Sequence, residues 1–137
     1  MGARRIRSKS LEKSQYRIYL KKAEEFYETM LQAQELDNWN AVGLNAVHCA
    51  ISSADALLVF YRGIRSTEET HQRVVDLLLS LTDLPDIKSK ASTLKRILAK
   101  KNIIAYEDRD FNRNDALEIS KHAERFLNWV KSLLPKE

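Results

Sequence analysis

Only five of the 137 residues are turn formers of the strongest kind, three glycines and two prolines. Average usage would supply roughly sixteen. A β-sandwich or barrel needs a turn about every 8–12 residues, with the Gly and Pro to make it. A nucleotide-binding α/β fold needs a glycine-rich loop against its phosphates. Neither can be built from five such residues. The expected fold is therefore all-α, an up-and-down antiparallel bundle of four to five helices.

The remaining composition fits that expectation. Apolar residues make up 44% of the chain and charged residues 31%, as in a soluble globular domain. The length suits one domain over residues 1–137, with residues 1–10 expected as a disordered basic tail. A single cysteine, Cys49, leaves no internal disulfide and no Cys-based zinc site. No apolar run reaches the roughly 20 residues that span a bilayer, and no apolar signal core follows the basic N-terminus. The expected location is the cytoplasm, with no membrane partner.

Charge is unevenly spread. The net charge is +4, yet residues 1–22 hold eight Lys or Arg against one acid, Glu12. A second basic stretch, Lys88 to Lys101, has six cations and no acid. Glu107, Asp108 and Asp110 follow it. One reading is solubility and solvated helix faces. The other is a phosphate-rich partner, since clustered cations release counterions from nucleic acid.

Periodicity divides the chain into five helices. The first is expected from about Ser8 to Leu36, with Leu20, Ala23, Tyr27, Met30 and Leu31 at helical spacing. Asp37 and Asn38 are candidate caps for a second helix, about Trp39 to Tyr61, that Arg62–Gly63 would end. Ser66 with Glu69 reads as a capping box opening a third helix that stops before Pro85. A fourth is expected over about Asp86 to Tyr106. Asn112 is the expected cap of the last, which runs to Leu134.

Two features exceed what a plain bundle needs. The second helix is apolar nearly all round, which marks a central helix. Yet Asn45, His48, Ser52, Asp55 and Arg62 fall at steps of three, four, three and seven, one polar stripe. The stripe is either a solvent face or the lining of a cleft or subunit interface, where His48 and Asp55 would do polar work. The second feature closes the fourth helix. At 100° per residue from Lys88, the apolar arc covers about 180–300°, and Lys101 falls near 220°, inside it, while Lys100 near 120° lies outside. Lys101 is either a snorkelling side chain that caps the last carbonyls or a cation aimed into a cleft, with Asn102 beside it and Tyr106 at the helix end.

Catalytic constellations are scarce. His48, His71 and His122 fall on three different helices, without zincin spacing, so no metal is expected. Cys49 reads as a small core residue. No cofactor loop is present. Trp39, Trp129, Phe26, Phe60 and Phe126 read as core or interface.

Three stretches carry a resemblance. They are Ala23-Glu24-Glu25-Phe26-Tyr27; Ala46-Val47-His48-Cys49-Ala50 with Ala54-Asp55-Ala56-Leu57-Leu58; and Leu98 to Tyr106, followed by a final helix ending in Phe126-Leu127-Asn128-Trp129-Val130. Over roughly residues 12–134 this layout resembles the HEPN domain family, small helical domains of prokaryotic nucleases and nucleotide-binding partners. The resemblance implies a homodimer whose two motifs face one cleft. Active members cleave RNA without a metal, using an Arg, often followed by a polar residue such as Asn, then four to six residues, then a His. Those positions fall on Lys101, Asn102 and Tyr106. Lys101 lacks the planar fork of arginine, and a tyrosine is a poor base near neutral pH.

Lys101 and Tyr106 are thus the candidates for a residual catalytic role. Lys101, Asn102, Tyr106, His48 and Asp55 are the candidate ligand-binding set. The leading functional expectation is a non-catalytic, nucleotide- or RNA-phosphate-binding dimer, working with a nucleotidyltransferase partner as some relatives do. The alternatives are a divergent metal-independent ribonuclease, the toxin of a toxin–antitoxin pair, and a protein–protein adaptor bundle with a basic docking arm.

Overall fold

The computed structural model describes residues 8–66 and 71–136. In chain order these form strand β1 (Ser8–Ser10), a 3₁₀ turn (Lys13–Gln15), helices α1 (Tyr16–Glu35) and α2 (Trp39–Arg62), strand β2 (Ile64–Ser66), and helices α3 (His71–Leu79), α4 (Ile87–Ala99), α5 (Lys101–Tyr106) and α6 (Arg113–Ser132). The domain is all-α apart from the short β1–β2 pair, which is antiparallel with Lys9 opposite Arg65.

Helix α2 is the centre. Val42, Ala46, Val47, Ala50, Ala54, Leu57 and Leu58 are fully buried along it, and α1 and α6 pack against it. Their contributions follow the expected periodicity: Leu20, Ala23 and Met30 from α1, and Ile119, Ala123, Phe126 and Val130 from α6. By length and hydropathy α2 is the one described helix that could cross a membrane, but 78% of that stretch is buried inside this bundle. A helix surrounded by helices is apolar for the same reason as one surrounded by lipid.

The caps show why the helices stop where they do. Gly63 ends α2 in the left-handed region, φ 63°, its N–H bonding the Val59 carbonyl. Asn112 caps α6: its Oδ1 accepts from the Asp115 N–H at 2.8 Å, and Asp115 Oδ2 accepts from the Asn112 N–H at 3.1 Å. Asn38 occupies the N-cap of α2 without a side-chain cap bond, and Asp37 before it turns the chain at φ 58°.

Four expectations need correction. The first helix begins at Tyr16, not near Ser8, because the Leu11 N–H bonds the Gly63 carbonyl at 2.6 Å and the preceding residues pair with β2. Ser8–Ser10 is thus a strand inside the expected tail, while residues 1–7 lie outside the described residues. Ser66 ends β2 instead of capping α3, and Glu69 of the expected box is likewise outside them. The expected fourth helix is two, α4 and α5. At their junction the Lys100 N–H reaches back only three residues, to Ile97 O at 3.1 Å, a tightened turn with the helical direction kept.

Candidate functional site

The position of α5 is set by its contacts with α2. Gly43 is buried, and a Cβ there would stand 2.6 Å from Ile104 Cδ1 and 2.9 Å from Phe111 Cε2. The missing side chain is the space that α5 and the following loop occupy. Asn40, one turn earlier on α2, holds that loop at two points. Its Oδ1 accepts from the Phe111 N–H at 2.8 Å, and its Nδ2 donates to Asp110 Oδ1 at 3.2 Å. Phe111, 1% exposed, plugs the end of the core.

With Ile104 on Gly43, Lys101 lies one turn back along α5 and within electrostatic reach of His48. Both side chains are half-buried. The His48 ring also lies 5.3 Å from that of Phe26 on α1, tilted by 31°. Burial pushes the His48 imidazole below the usual histidine range, and the Lys101 charge pushes the same way. His48 is therefore neutral at pH 7, a hydrogen-bonding group beside an ammonium.

The five candidate residues are not one constellation. Lys101 and His48 lie within electrostatic reach of each other. Asn102 is exposed, and Tyr106 is 77% exposed at the end of α5. Asp55 lies seven residues beyond His48 on α2, about 10 Å along the axis. It is 5% exposed and belongs to a second polar group. Arg65 Nε of β2 stands 4.0 Å from Asp55 Oδ2, and the Arg65 guanidinium also donates to Tyr19 Oη at 3.3 Å and covers the Tyr19 ring. Burial raises the Asp55 carboxyl to about 7 despite the opposing charges of Arg65 and Lys22. Among the described residues, Arg65 Nε and Tyr16 Oη are buried without hydrogen-bond partners.

The polar stripe of α2 is therefore not a solvent face, since Ser52 and Asp55 are 8% and 5% exposed. Its ends are used separately. Arg62 leaves the stripe to donate to Ser80 Oγ at 2.8 Å, and Asn45 donates to the Ala41 carbonyl one turn back. Phe26 was read from the sequence only as core or interface, and Tyr19 and Arg65 were not singled out. Phe26 meets His48, Arg65 meets Asp55, and Tyr19 meets Arg65, all from other elements, and no local spacing announces such contacts. Cys49 is buried, and that burial raises its thiol to about 12. Among the described residues, no three His, Cys, Asp or Glu side chains meet in a way that could hold a metal ion.

A central apolar helix, two long helices flanking it, and a short helix that holds a lysine beside it define a class of small helical domain. The sequence profile of the HEPN domain matches residues 16–133, nearly the whole bundle. The chain belongs to the HEPN domain family. Among solved structures, it is similar to the crystal structure of TT1696 from Thermus thermophilus. The TM-score is 0.63 at 18% identity, over 88% of this chain and 98% of that one. At that identity the likeness is one of fold. No curated protein matches the chain.

Proposed function

We propose that the chain is a dimeric, non-catalytic HEPN domain of the cytoplasm that binds a nucleotide or RNA phosphate at Lys101. The observation that carries this reading is the half-buried Lys101 on α5 beside a neutral His48 on α2. A cation held partly out of water attracts an anion more strongly than a fully solvated one. His48 adds a neutral hydrogen bond and no competing charge. Asn102 and Tyr106, both exposed, reach a ligand from the same short helix.

The exposure of Tyr106 also favours a partner surface. A phenol that open, more than a turn along α5 from Lys101, joins the site only if a second chain closes over both. A second copy, and a nucleotidyltransferase partner, are the assemblies this reading implies. Ribonuclease activity is the weaker reading: Lys101 makes no bidentate fork, and the neutral imidazole near it, His48, comes from α2 and not from the Tyr106 position where the family's histidine falls.

The test is Lys101→Met, which keeps the packed stem and removes the charge. Melting should barely change, while affinity for nucleotides and RNA at low salt falls about tenfold or more, the loss of a charged hydrogen bond. Unchanged affinity would remove Lys101 from the site. Metal-independent RNA turnover that Lys101→Met abolishes would replace the proposal with the ribonuclease reading.

A further inference from the structure

The β1–β2 ribbon is joined to the bundle at few points. Among the described elements β1 touches only β2, and β2 touches α2 and α3. The two strands have three residues each, Ser8 opposite Ser66 and Ser10 opposite Ile64. A two-stranded pair that short has little stability of its own, so the ties between β2 and the helices decide whether it stays in place. At its base the Leu11 N–H bonds the Gly63 carbonyl, and Ile64 packs against the core. The polar tie is Arg65.

Arg65 meets a group that the core itself disfavours. Among the described residues Asp55 is the only buried carboxyl, on the central helix. Arg65 Nε stands 4.0 Å from Asp55 Oδ2, and among the described residues that nitrogen has no hydrogen-bond partner. The hold of Nε on Asp55 is therefore one of charge, and it ends when the carboxylate takes a proton. The bond that Arg65 donates to Tyr19 Oη goes to a neutral phenol and does not change with it. The charged groups felt at Asp55 are Arg65 from β2 and Lys22 from α1; among the described residues α3, α4, α5 and α6 bring none. Burial outweighs both cations, so the carboxyl titrates at about 7 and its charge changes near neutral pH.

We propose that Asp55 and Arg65 form a proton-operated latch: the ionised carboxylate holds the β1–β2 ribbon against α2, and its protonation loosens the ribbon while the helices stay packed. The direction follows from the pair. An ionised Asp55 in the core is offset in part by Arg65, which must be docked to offset it. A neutral Asp55 needs no cation, and Arg65 then gains water by leaving. The coupling is reciprocal, so a docked ribbon favours the ionised carboxyl to the same extent. Ile64 and the Leu11 bond keep the ribbon near, which makes the change a local opening and not an unfolding. The residues before Ser8 include Arg4, Arg5 and Arg7, so the latch governs how firmly a basic segment is joined to the bundle. It does not depend on the reading of Lys101.

Hydrogen exchange of the whole chain, compared at pH 6 and pH 8 after correction for the intrinsic pH dependence of exchange, tests it. Protection of residues 8–11 and 64–66 should be lower at pH 6 by about fivefold or more, what a partly exposed charge pair is worth. Protection in α2 and α6 should hold at both. The Asp55 carboxyl, followed by its ¹³C shift, should titrate with the midpoint of ribbon opening. Asp55→Asn should leave the ribbon loosened at both pH values. Arg65→Gln keeps a donor for Tyr19 and removes the charge, so the ribbon should again be loose at both, and the Asp55 midpoint should rise for want of its cation. Equal ribbon protection of the parent at the two pH values would overturn the proposal. So would a pH response that persists in Asp55→Asn, which would belong to another group, or an Asp55 midpoint that Arg65→Gln leaves in place.

Discussion

Asp55 shows how burial changes what a carboxyl contributes. Unfolded, it titrates near 3.8; folded, it titrates near 7. Between those pH values the folded chain holds one proton more than the unfolded chain, so this group's contribution to stability falls as pH rises from about 4 to 7 and is level above. The full span is on the order of 4 kcal/mol. Asp55→Asn copies the protonated form in shape. It should stabilise the protein at pH 8 and change little at pH 4, as read by urea unfolding at the two pH values. A variant less stable than the parent at pH 8 would show that the 4.0 Å pair with Arg65 outweighs the burial. His48 acts in the opposite sense. Its lowered pKa means that the folded chain resists protonation, so its contribution is present above the ordinary histidine range and lost as pH falls below it.

At the scale of elements, the short helix α5 depends on a residue it does not contain. Gly43→Ala places a methyl 2.6 Å from Ile104 and 2.9 Å from Phe111. The Ile104 end can turn away, but the Phe111 ring is 1% exposed and has little room. The expected cost is about 1–3 kcal/mol in chemical unfolding, with α5 displaced and the affinity conferred by Lys101 lowered. Asn112→Ala should cost about 1 kcal/mol through the start of α6 and leave Lys101 untouched. Equal ligand affinity in the two variants would show that Gly43 does not position Lys101. Asn112 was legible in the sequence because a cap is a local device, an acceptor three residues before an orphan N–H. The α4–α5 division was not, because Lys100 keeps a helical conformation and only its hydrogen bond shortens.

At the scale of the molecule, the proposed dimer would cover exposed apolar area on the elements that hold the Lys101 site. Tyr106 is 77% exposed and Leu44, beside Gly43, is 39% exposed. Light scattering at tens of micromolar, an ordinary range for such association, should give twice the chain mass, and Tyr106→Glu should return it to a monomer. A monomeric parent would count against the assembly. The sequence by itself determined the class of fold, the central helix and most helix ends. Scarce Gly and Pro, 3.6-residue periodicity and caps all act within a few residues of chain, so they are written in order along it. The grouping of the candidate residues was decided only by the tertiary structure. One stripe of α2 meets Phe26 and the field of Lys101 at His48, but at Asp55 it meets Arg65, which Tyr19 holds in turn. Which partner each residue meets depends on how helices far apart in sequence pack, and burial, not residue type, then sets their charge.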